Sequence, residues 1–215
     1  MRRVIFLLPG LLMALTLAGC DRQNPPAPQG NGANAAAAAP APAPPGGTTG
    51  NAPDNAVAHA QYPTGRLDRS HAGTAAPDIV FEGPDGRPAR LAAFRGRPVL
   101  VNLWATWCGP CIVEMPSLDT LAQRQPAGQG VQIVAISQDS ADGRRKVTDF
   151  FAARNFQRLQ PYLDKEMALM MALGLDTLPT TILYDSQGRE VWRMVGMADW
   201  QGDRVARLLL EADAG

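Results

Sequence analysis

The chain has 215 residues, with 20 Lys+Arg against 20 Asp+Glu, 46% hydrophobic residues, 19 Pro, 2 His and 3 Cys. Balanced charge without a basic cluster excludes a nucleic-acid binder, because counterion release requires concentrated positive charge. Three cysteines are too few for a disulfide-stapled mini-protein and lack the four-ligand spacing of a structural zinc site, so each thiol needs its own account.

Arg2 and Arg3 precede an apolar run from Val4 to Ala18, the pattern of an export signal. As a helix this run spans about 23 Å, short of the roughly 30 Å hydrocarbon core, which argues against a spanning anchor. It ends in Leu17-Ala18-Gly19-Cys20. That ending resembles the lipobox of bacterial lipoproteins, which implies cleavage before Cys20 and acylation of its thiol, leaving the chain on the membrane by a lipid anchor. An uncleaved helix and an ordinary signal peptide are the alternatives. Asp21 resembles the inner-membrane retention signal of enteric lipoproteins, so residues 1–20 read as a lipoprotein signal for the envelope's inner membrane.

Nine of the prolines fall between residues 21 and 73, in an Ala/Pro/Gly/Asn-rich stretch that cannot bury a core. It reads as a disordered tether with an end-to-end distance of about 40 Å if coil-like. His59 and His71 lie in it and read as solvated.

The folding domain is expected over residues 74–215, with strands and helices alternating. Ile79–Glu82 and Ala89–Leu91 flank Pro84-Asp85-Gly86 and predict a hairpin. Pro98–Trp104 is the nearly continuous apolar run of a strand buried on both faces. A helix from Gly109 to about Gln125, interrupted by Pro116, and a strand Val131–Ser137 complete a right-handed crossover. Helices are expected over Asp142–Arg154 and Lys165–Leu173, a hairpin over Thr180–Asp185 and Glu190–Val195, and a closing helix over Asp203–Glu211 with Val205, Leu208 and Leu209 inward. Met167, Met170 and Met171 fall at helical spacing and read as core, with a copper site as the rival reading.

Cys108-Gly109-Pro110-Cys111 stands between a strand and a helix, the context in which Cys-x-x-Cys reads as redox-active. At i and i+3 of the first turn both sulfurs share a face within disulfide reach, and the helix N-terminus favours the outer thiolate. A structural disulfide over so short a loop would constrain the unfolded chain little, and a metal pair would need two further ligands.

Trp104-Ala-Thr-Trp-Cys-Gly-Pro-Cys111, Pro116 and Leu178-Pro179-Thr180 together resemble a thioredoxin-fold protein: an α/β domain with a central mixed sheet flanked by helices. Ala76-Pro77-Asp78, Phe94-Arg95-Gly96, Glu114-Met115-Pro116 and the segment Gln138–Pro161 resemble the TlpA-like branch of membrane-anchored thiol-disulfide oxidoreductases, which includes cytochrome c maturation thioredoxins. The resemblance implies an N-terminal hairpin extension and an insertion before the third helix. It implies Cys108 as attacking and Cys111 as resolving thiol, and a cis Pro179 that leaves the Leu178 backbone free to pair with substrate. Trp107 is expected to shield the thiol. Asn102 stands where cytosolic thioredoxin has a buried Asp, and Glu114, three residues after Cys111, is expected to be partly desolvated and to take the proton instead.

The function implied is reduction of disulfides in envelope proteins, with apocytochrome c foremost, without a cofactor and with recharging by a membrane electron-donor protein. Reduction of copper-site cysteines in oxidase assembly, a non-catalytic copper carrier and a peroxiredoxin-like peroxidase are the alternatives.

Overall fold

The computed structural model describes residues 64–140 and 142–213. The export signal, Cys20 and the tether up to residue 63 lie outside them.

Strand β4 (Val99–Trp104) is buried along its whole length. Successive side chains of a strand point to opposite faces, so its apolar run fills two cores. Leu100 and Trp104 join Cys111, Met115, Trp192 and Trp200 on one face, while Val99, Val101 and Leu103 join Phe81, Ile136 and Ile182 on the other. Asn102 falls on the first face, beneath helix α1 (Gly109–Arg124). This register sets up the site.

After α1 the chain returns as β5 (Gln132–Ser137), parallel to β4, which confirms the crossover. On the other side β4 pairs antiparallel with β7 (Thr180–Tyr184), and β7 with β8 (Glu190–Val195), with Asn102 opposite Thr181. With β1 (Arg66–Asp68), β2 (Phe81–Glu82), β3 (Pro88–Ala89) and β6 (Tyr162–Leu163), the order is β1-β8-β7-β4-β5-β6-β2-β3. The sheet is mixed, and α4 (Asp203–Leu209) packs Val205 and Leu208 into the same core as α1.

The hairpin β2/β3 forms around the predicted turn but is shorter than expected. Ile79 precedes it, and Leu91 opens a 3₁₀ turn, Leu91–Phe94. The inserted segment carries α2 (Gly143–Arg154), and β6, which follows it directly, bridges β5 to the hairpin. One guanidinium fastens these pieces: Arg144 donates to Glu82 Oε1 at 2.6 Å, to the Gly83 carbonyl at 2.9 Å and to the Pro161 carbonyl at 2.6 Å.

Five expectations change. Arg66–Asp68, expected within the tether, form a strand that pairs with the edge of β8. The helix expected over Lys165–Leu173 is only α3 (Ala168–Ala172): Met167 is left-handed at φ 52°, and the Asp164 carboxylate accepts the Ala168 and Leu169 N–H groups. The methionine stripe is therefore not core, since Met167 and Met171 are exposed and Leu169 takes the buried position. Pro116 does not interrupt α1, although it removes the N–H that would reach the Ile112 carbonyl. The last helix ends at Leu209 and continues as a 3₁₀ turn, with Leu209 only half-buried.

Candidate active site

β4 delivers the chain to the loop Ala105–Trp107, and α1 begins at once. Cys108 is its N-cap and its Sγ accepts the Cys111 N–H at 3.3 Å. Pro110 suits the first turn because no N–H is needed there. Cys108 and Cys111 form a disulfide, with 5.2 Å between their Cα atoms. Cys108 keeps 6% exposure and Cys111 none, while Trp107 is 67% exposed, so it flanks the disulfide as an open apolar surface more than it covers it.

Asp139 holds this loop. Buried just past the C-terminal end of β5, it accepts the Thr106 N–H at 2.9 Å and the Thr106 hydroxyl at 2.6 Å, and its other oxygen contact is the Ser137 hydroxyl at 2.6 Å. Sequence reasoning missed it. The available signal was topological: parallel β4 and β5 end together, so a polar residue after one meets the loop after the other.

Glu114 lies one turn below Cys111 on the same helix and is fully buried, more deeply than expected. Its Oε1 accepts the Asn102 amide at 2.8 Å, and its Oε2 accepts the Ala198 N–H at 3.0 Å and the Trp200 indole N–H at 3.1 Å. Burial pushes its pKa up and the three donors pull it back, for a net rise to about 7. Asn102 also donates to the Thr181 hydroxyl at 2.9 Å, its partner in register. The Asn thus occupies the strand position under the helix and supplies a donor where an acid is absent. Ala198 and Trp200 were not identified from sequence.

The Leu178–Pro179 peptide is cis. The Pro179 carbonyl accepts the Gly196 N–H at 2.8 Å, and Leu178 is half-buried against both cores. Among the described residues the Leu178 amide and carbonyl take no backbone partner. Also among them, no three His, Cys, Asp or Glu side chains gather as a metal site, and no helix is long and apolar enough to cross a membrane.

The Redoxin family model matches residues 71–208, spanning the disulfide, Glu114 and Pro179. The chain belongs to the Redoxin family. Within the Redoxin family it is similar to the thiol-disulfide oxidoreductase ResA of Geobacillus thermodenitrificans (strain NG80-2), at 36% identity over 118 residues, covering 54% of this chain and 65% of that protein. ResA of Halalkalibacterium halodurans is 32% identical over 138 residues, covering 63% of this chain and 76% of that one. Among solved structures, one described as a thiol:disulfide interchange protein DsbE, from Chlorobium tepidum, superposes with a TM-score of 0.57 at 26% identity, covering 66% of this chain and 96% of that one. The Redoxin-family chain is therefore a thioredoxin-like thiol-disulfide oxidoreductase, as the motif resemblance implied.

Proposed function

We propose that this oxidoreductase is an exported, lipid-anchored reductant of disulfides in envelope proteins, and that apocytochrome c, whose Cys-x-x-Cys-His must be reduced before haem attaches, is its substrate class. The observation that carries the reading is the Cys108–Cys111 disulfide at the N-terminus of α1 with the buried Glu114 carboxyl one helical turn below the resolving sulfur.

In the reduced protein the Cys108 thiolate, favoured by the Cys111 N–H and the helix N-terminus, attacks one sulfur of a substrate disulfide. The substrate's S–S bond breaks, a Cys108–substrate mixed disulfide forms, and the leaving thiolate takes a proton. Leu178 supplies main-chain pairing for the extended substrate beside Pro179, and Trp107 offers it an apolar contact. Glu114 takes the Cys111 proton as that thiol attacks Cys108. The Cys108–Cys111 bond forms, and the second substrate sulfur leaves as thiolate. Two electrons have passed from the dithiol to the substrate. A dithiol donor in the membrane restores them, and no cofactor takes part.

Cys111→Ala in the native host tests the reading. Without a resolving thiol, Cys108 should hold its substrates as mixed disulfides, and envelope proteins carrying Cys-x-x-Cys-His should be prominent among them. Recovery of copper-site proteins alone would move the assignment to oxidase assembly, and no trapped envelope protein would contradict the reductase reading.

A further inference from the structure

Gly65 lies one residue before β1, where the chain reaches the sheet. Its N–H donates to the Met197 carbonyl at 2.6 Å. The peptide unit that carries this carbonyl also carries the Ala198 N–H, which donates to Glu114 Oε2 at 3.0 Å. A single planar amide therefore has both ends occupied: fixing its carbonyl end fixes the direction of its N–H, and a hydrogen bond on the carbonyl polarises the N–H into a better donor.

The approach leaves no room for a side chain. A Cβ on Gly65 would lie 2.6 Å from the Gly196 carbonyl oxygen and 2.9 Å from its carbon. The segment is also fastened beyond this contact. Arg66, Leu67 and Asp68 pair with Val195, Met194 and Arg193, Leu67 packs on the core, and Arg69 donates to both Glu211 carboxylate oxygens at 2.7 and 2.9 Å. Residues 65–69, which make these contacts, precede residue 71, where the Redoxin match begins.

We propose that Gly65 and β1 form a positioning device for Glu114, holding the Met197–Ala198 peptide in the orientation that gives the buried acid its main-chain donor. The inference rests on Glu114 as the acid of the site and says how that acid is held. Few other groups bear on it. Asn102 faces Glu114 from β4 with Thr181 of β7 behind it, Ala198 and Trp200 face it from the segment after β8, and Cys108 and Cys111 share its helix. None of these is charged while the disulfide is intact. Asp199 is exposed, and its carboxylate accepts the Gln201 N–H at 3.0 Å.

The test is a carbon-13 NMR titration of the Glu114 carboxyl in the oxidised full-length protein, with the signal assigned by its loss in Glu114→Gln. Gly65→Ala should raise the inflection by about half a pH unit, because a hydrogen bond favouring the charged form is weakened. Leu67→Ala loosens β1 without a clash and should move the inflection the same way by less. Val147→Ala truncates a buried core residue of α2 and should leave it in place. An inflection unmoved in both β1 variants, or moved equally by Val147→Ala, overturns the proposal. The resolving rate of Cys111 in the same variants reads the separate claim: a carboxyl inflection that shifts while the rate profile stays would remove proton transfer from Glu114 and leave the positioning intact.

Discussion

Burial and hydrogen bonding oppose each other at Glu114. The first favours the neutral acid, the second the carboxylate, and burial prevails, so the group stays protonated to about pH 7 instead of 4.5. Over that interval the folded protein holds a proton that the unfolded chain has released. The resulting stabilisation is fully present below the unfolded value and is lost as pH rises through about 7. At 1.36 kcal/mol per pKa unit it amounts to about 3 kcal/mol. Urea unfolding of the oxidised protein at about pH 4.5 and pH 8 should show this loss, and Glu114→Gln, which has no proton to release, should not. Equal pH dependence in the two proteins would mean that Glu114 titrates alike in the folded and unfolded chain. Asp119 works in the opposite sense. Burial raises its pKa, but the backbone N–H groups of Leu159, Arg158 and Gln157, with the Gln123 amide, outweigh that and leave it below its ordinary value. Its contribution is lost as pH falls through the acid range, which keeps the two effects separable.

Among the elements, the inserted segment shows why acceptors matter more than composition. After α2 the chain runs back through residues 157–159, and one carboxylate on α1 receives their N–H groups: Asp119 accepts from Gln157 at 3.1 Å, Arg158 at 2.8 Å and Leu159 at 3.0 Å. Asp119→Ala should cost about 2–4 kcal/mol in chemical unfolding, since the buried Leu159 N–H and two partly buried donors lose their partner together. Asp119→Asn should recover part of it through the remaining carbonyl oxygen. A loss below about 0.5 kcal/mol would show that water replaces the carboxylate. Such contacts also mark where the sequence was legible. The Cys-x-x-Cys turn, Pro179 and the strand–helix alternation each have a local signature, and Glu114 was reachable from its three-residue spacing to Cys111. Asp119, Asp139, Ala198 and Trp200 have none, because the contacts that give them their roles reach partners 33 to 86 residues away, and only the folded sheet brings them together. β1 was missed for a related reason: a three-residue strand with one apolar side chain has no periodicity, and the edge of β8 decides its conformation. The methionines of α3 misled in the opposite direction, as helical spacing gave no sign that Asp164 and a left-handed Met167 would turn two of them outward.

For the whole molecule, the proposed lipid anchor would account for the odd cysteine. With Cys20 acylated, Cys108 and Cys111 are the remaining thiols of the sequence, so no third sulfur can scramble the redox pair. Cys20→Ser should release the protein from membranes or block its processing, and intact mass of the membrane-extracted wild type should show a chain starting at a lipid-modified Cys20. A free Cys20 thiol or a retained Met1 would refute the anchor. The central claim, that Glu114 takes the proton of a resolving Cys111 in dithiol reduction, is tested most directly by stopped-flow exchange with a peptide disulfide, quenched in acid so that the mixed disulfide is counted. The account predicts that Glu114→Gln leaves the first attack by Cys108 nearly intact and slows the second step by about tenfold or more near pH 7, so that the Cys108 adduct accumulates. A resolving rate equal to that of the wild type across the pH range would contradict it.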